Sequence, residues 1–236
     1  MRITGTGIGA VISLLMLLLF SGLRAAEIRK KNDAGFSSAE MPDALGFGLL
    51  PGIAAWKIFE KGTALGKGIE LFDPVGEIPL ITEGSRFAVS RAEAVLAALC
   101  FAAMILWLIF RKEDLPANGD LLLTVLCVWG LLRAFTEGFR EETILRAGSI
   151  NLTQILLLAA ADVSLAVWTV RMEAAQKSTA FSVLEWIAVL SCEAVMVLNT
   201  ADVLSAGSRI GDMAVNAGCA VLCMLLMLSA GKDSRS

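Results

Sequence analysis

A chain of 236 residues that is 56% hydrophobic, with a mean hydropathy of +0.72, is too apolar for a soluble domain of its size. Its formal net charge of −3 lends nucleic acid binding no support, and it contains neither histidine nor tyrosine, so the commonest general base is missing. The five cysteines lie inside apolar runs with no CxxC spacing and no histidine to complete a zinc site, so they read as small buried hydrophobes; neither a metal nor a cofactor is expected.

Apolar runs recur along the whole chain, at about 7–23, 46–59, 92–110, 121–139, 152–170, 181–206 and 211–230. The runs are continuous rather than alternating, which excludes a transmembrane barrel. The expected fold is therefore all-α: a polytopic transmembrane helical bundle of about six to seven spans, forming one integral membrane domain over 1–236.

Taken in chain order, Arg2 followed by Val11–Phe20 has the look of a signal peptide. However, the run ends in Arg24 and Arg29–Lys31 with a poor small-x-small site, so it reads as a retained first span. Those four basic residues after the span place the N-terminus outside and the following loop in the cytoplasm. Propagated through seven spans, the twenty basic residues divide evenly between the two sides, so orientation rests on the first helix alone. The second run is short and holds Pro51, which suits a kinked span or a re-entrant piece. In the long polar stretch 61–92, Ile78–Ile81 and Phe87–Val89 fit a short hairpin or a loop lying on the membrane. Ser90 and Glu93 have capping-box spacing at the start of the third run, and Asp120 suits the N-cap of the fourth.

The fourth run ends in Arg133, Glu137 and Arg140, spaced i, i+4, i+7 on one helical face. Two guanidiniums flanking a carboxylate suit an anionic head group such as a lipid phosphate; the alternative is a snorkelling helix end with an internal Glu–Arg pair. Further on, Asp162, Glu185, Glu193, Asn199 and Asp202 lie in or near apolar runs. Glu185, Glu193 and Asp202 fall near one face, where they read either as packing glue between helices or as the ion path of a small ion-coupled transporter. No internal repeat supports the transporter. Asn151–Thr153 matches a glycosylation sequon but sits at a helix start.

A short turn ending Gly119-Asp120, an apolar helix, and then Trp129-Gly130, Arg133, Glu137 and Arg140 resemble the bacterial prolipoprotein diacylglyceryl transferases. The segment Ser149–Leu156, with Gln154-Ile155-Leu156, is similar to the opening of that family's next helix, and Glu93 matches one position of an upstream motif. The likeness covers about Val89–Val170, is loose over 7–60, and is absent over 181–230, where two extra spans follow. The family's central signature block and its histidine have no counterpart here. The resemblance implies a multi-pass protein of the bacterial cytoplasmic membrane that moves a diacylglyceryl group from phosphatidylglycerol to a lipobox cysteine thiol of a prolipoprotein signal peptide. It implies that Arg133 and Arg140 hold the phosphate, that Glu137 orients them, and that Glu93, Asp120 and Gln154 contact substrate. A non-catalytic lipid-binding protein is the other outcome of the same residues.

Overall fold

The computed structural model describes residues 5–31, 38–59, 82–83, 86–87, 89–110, 120–138, 145–174, 183–204 and 209–230. Among them are seven α-helices: α1 (Gly5–Lys31), α2 (Met41–Phe59), α3 (Val89–Phe110), α4 (Asp120–Glu137), α5 (Leu152–Ala174), α6 (Val183–Thr200) and α7 (Arg209–Ala230). Each of the seven expected apolar runs corresponds to one helix, the form in which an apolar segment satisfies its own backbone polar groups. Among the described residues, four helices are long and apolar enough to cross a membrane: α1 over Gly9–Lys30, α3, α5 over Leu152–Arg171, and α6.

A short 3-10 helix (Ser38–Glu40) and two small antiparallel ladders complete the described elements. In the first, β1 (Thr82–Glu83) pairs with β2 (Arg86–Phe87). This ladder pairs other residues than the hairpin expected from the sequence: Ile78–Ile81 lie outside the described residues, and of Phe87–Val89 Phe87 is in β2 while Val89 opens a helix. In the second, β3 (Arg146–Ala147) pairs with β4 (Ile150–Asn151) across Gly148-Ser149. Gly148 has φ of 64°, the left-handed conformation that a hairpin turn with glycine at its first central position requires.

The chain divides into two compact units, and the division runs through α4 between Leu126 and Cys127. In the first unit, α1 and α2 meet through small residues. Gly48 and Gly52, one turn apart, face the Ser13, Leu17 and Ser21 stripe of α1; a Cβ on Gly48 would collide with Ser21 Oγ and the Leu17 carbonyl. Ser13 Oγ donates to the Gly52 carbonyl at 2.7 Å. The helix continues through Pro51, so the second apolar run belongs to one helix of 19 residues. Phe20, Phe47 and Phe101 join α1, α2 and α3 by edge-on and tilted ring contacts at 5.1–6.4 Å. The basic residues 24–31 that follow the first apolar run are not a loop but the last two turns of α1. Arg24 is buried there, bonded to Glu27 at 2.6 Å with its guanidinium 5.9 Å from the Phe47 ring.

The second unit has its core in Cys127, Leu131 and Ala134 of α4, Leu158, Ala161 and Leu165 of α5, Val189 of α6 and Cys223 of α7. Gly130 lets α4 approach α5: a Cβ there would lie 3.0 Å from Ala161 Cβ. Asn199 ties α6 to α7 through its Nδ2, which donates to the Asp212 carbonyl and to Asn216 Oδ1, both at 2.9 Å. None of the five cysteines is in a disulfide; Cys127 and Cys223 are buried and the other three half-buried.

Burial is inverted relative to a water-soluble fold. Leu14, Leu15, Leu18 and Leu19 of α1, Phe110 of α3, Val163 and Val170 of α5 and Leu184 of α6 are each more than half exposed. Meanwhile Arg24, Asp43, Lys57, Glu93, Glu137, Gln154 and Glu193 are buried. Water would penalise both halves of that pattern, whereas a lipid surround favours both.

Candidate functional site

The end of α4 and the start of α5 bring several buried polar side chains together in the second unit. Arg133 and Glu137 occupy the last turns of α4, and Arg133 Nη2 lies 2.8 Å from Glu137 Oε2. The carboxylate side chain is 1% exposed and the guanidinium side chain 12%. A carboxylate on the last residue of a helix opposes the helix dipole, and arginine preceding glutamate is the weaker i, i+4 order. Helix stability therefore does not account for Glu137. Its position does suit holding Arg133 in one orientation.

The helix ends of this corner are satisfied by side chains. Asn151 Oδ1 accepts from the Gln154 backbone N–H at 3.2 Å, the N-cap of α5, while Asn151 Nδ2 donates to the Glu137 carbonyl at 3.3 Å. Gln154 Nε2 donates to the Ala134 carbonyl at 3.2 Å and to Thr200 Oγ1 of α6 at 3.3 Å. Gly138 fits between them, since a Cβ there would be 2.9 Å from Thr200 Oγ1. Gln154 is fully buried, and its Oε1 has no hydrogen-bond partner among the described residues. A buried carbonyl oxygen in that condition suits a hydroxyl or N–H donor.

Of the residues singled out in the sequence, Arg133, Glu137 and Gln154 thus come together. Arg140 lies outside the described residues. Glu93 and Asp120 belong to the first unit and have their own surroundings. The α3 helix begins at Val89, which puts Ser90 inside the first turn rather than at a capping position. The Glu93 carboxylate, fully buried, instead meets Lys57 Nζ of α2 at 3.0 Å. Asp120 opens α4 as expected, but the Leu121 N–H is capped from a distance by Asp43 Oδ1 at 3.0 Å.

The acidic residues of α6 separate. Glu185 lies in its first turn, half-buried, and Glu193 is buried at 6% exposure. Asp202 is exposed beyond the helix end with φ of 57°, and the Val203 N–H bonds the Leu198 carbonyl at 2.9 Å. That is a Schellman-type stop in which aspartate takes the left-handed position. Asp202 therefore terminates a helix and does not extend the stripe of Glu193.

Sequence reasoning missed Asn151, Thr200, Lys57 and Asp43. Asn151 with Gln154 three residues on had the spacing of a capping box, the one available signal; the other three act on partners far away in the sequence. No protein-family model matches this chain, and no curated protein or solved structure matches it either.

Proposed function

We propose that this chain is a multi-pass membrane protein that binds the phosphate of an anionic phospholipid at Arg133, as the resemblance to diacylglyceryl transferases implies. The observation that carries the reading is the Arg133–Glu137 pair: a buried carboxylate fixes a guanidinium that retains some exposure at a helix end. Arginine's planar fork matches phosphate oxygens, and a helix end belongs at the depth of lipid head groups. Phosphatidylglycerol adds a second match, because its glycerol hydroxyls are donors of the kind that Gln154 Oε1 lacks among the described residues. In this reading Glu137 is a positioning residue and Arg140 is a second phosphate ligand. The cell membrane is the bacterial cytoplasmic one, with the N-terminus outside.

The transferase reaction would add attack by a lipobox thiolate on the diacylglyceryl carbon, with glycerol phosphate departing against Arg133. The deciding experiment supplies labelled phosphatidylglycerol and a lipobox peptide to the purified protein in bilayers, beside Arg133→Ala. Label on the peptide that is lost in the variant supports a diacylglyceryl transferase lacking histidine. Arg133-dependent lipid binding without label transfer supports the lipid-binding protein alone. Neither transfer nor binding refutes both.

A further inference from the structure

Near the middle of the second unit two carboxyl groups face each other. Asp162 is the eleventh of the 23 residues of α5, and Glu193 is the eleventh of the 18 residues of α6. Glu193 shares a stripe with Val189 and Met196, both fully buried, at i−4 and i+3. Asp162 stands one turn after Leu158 and adjoins Ala161, two core residues. The two carboxyl groups are within hydrogen-bonding reach of each other. Beyond that contact, Asp162 Oδ1 and Glu193 Oε1 are buried with no hydrogen-bond partner among the described residues. Neither residue takes part in an ion pair among the described residues; their other ionisable neighbours are Cys127 of α4 and Cys223 of α7. The charged residues on the surrounding helices sit toward their ends: Arg133 and Glu137 on α4, Arg171 on α5, Glu185 on α6 and Asp212 on α7.

Two ionised carboxylates are acceptors only, so a hydrogen bond between them requires a proton on one. A lone pair of negative charges at this depth, without a cation, would be far costlier than one shared proton. We infer that Asp162 and Glu193 form a proton-binding site in the interior of the second unit. The ligand is a single proton held between the two carboxyl groups. Its release would leave negative charge in the helix core, so binding and release report on, and bias, the packing of α5 against α6. The site is separate from Arg133, and Glu193→Gln is expected to leave phosphatidylglycerol binding unchanged.

Infrared spectroscopy of the full-length protein in bilayers tests this. Wild type is expected to show the carbonyl stretch of a protonated carboxyl, absent in Glu193→Gln and displaced in Asp162→Asn. The band should disappear as the pH is raised over the range in which helicity is retained. A band that persists at every pH marks a closed structural pair and overturns the proposal; so does its absence at every pH. Should the variants fail to fold, labelling of wild type with dicyclohexylcarbodiimide needs none of them. Adducts at Glu193 or Asp162 that fade at higher pH support the site. Adducts confined to other carboxyls, or protection by sodium ions, contradict it.

Discussion

Both units bury charge in matched pairs, and one pair in the second unit departs from that rule. In the first unit Lys57 meets Glu93, Arg24 meets Glu27, and Asp43 accepts a helix N–H; in the second Arg133 meets Glu137. Glu193 and Asp162 of the second unit meet each other and no cation among the described residues. A matched pair holds helices together and is costly to break from one side, whereas two like groups are tolerable only while one is neutral. The first arrangement is therefore structural, and the second is responsive to its surroundings.

That contrast can be broken by removing one charge from each unit. Glu93→Ala removes the carboxylate that the buried Lys57 ammonium meets, and should destabilise the protein by about 3–5 kcal/mol, read from denaturant or detergent unfolding. Replacing both partners, Lys57→Met with Glu93→Leu, should recover most of that loss. If Glu93→Ala alone is silent, the pair is not structural. Packing in the first unit gives the next largest effect. Gly48→Val drives a side chain into Ser21 and the α1 backbone, and should cost about 1–3 kcal/mol. Neutralising one carboxyl of the second unit, by Asp162→Asn, should cost only about 1 kcal/mol, the net worth of a neutral hydrogen bond. A loss as large as that of Glu93→Ala would mean that Asp162 is an ionised, matched group after all. Smallest is Gly218→Ala, where a Cβ meets nothing within 4 Å; a gain of about 0.5–1 kcal/mol in helix propensity is expected from thermal unfolding.

The helices were legible because most of their apolar runs are long and uninterrupted; α2, short and with Pro51 inside, ends with its apolar run at Phe59 but begins five residues before it, at Met41. Arg133 and Glu137 were legible because i, i+4 spacing fixes a shared face whatever else the chain does. Lys57 was not: a basic residue near the end of an apolar run reads as snorkelling, and its pairing with Glu93 exists only once α2 and α3 pack. The same holds for Asp162 with Glu193, and for the capping of α4 by Asp43, 78 residues away. Asp202 was misleading because its spacing from Glu193 assumes a helix that in fact ends at Thr200.

The most direct test of the central claim is the affinity of phosphatidylglycerol for the full-length protein, by native mass spectrometry, in wild type, Arg133→Lys and Arg133→Ala. Loss of a charge-assisted pair of hydrogen bonds predicts about 1.5–3 kcal/mol for Arg133→Ala, roughly a 10- to 150-fold weaker complex, with lysine intermediate because it lacks the fork. Equal lipid retention by all three proteins would contradict it, and would leave the Arg133–Glu137 pair as a helix-end ion pair.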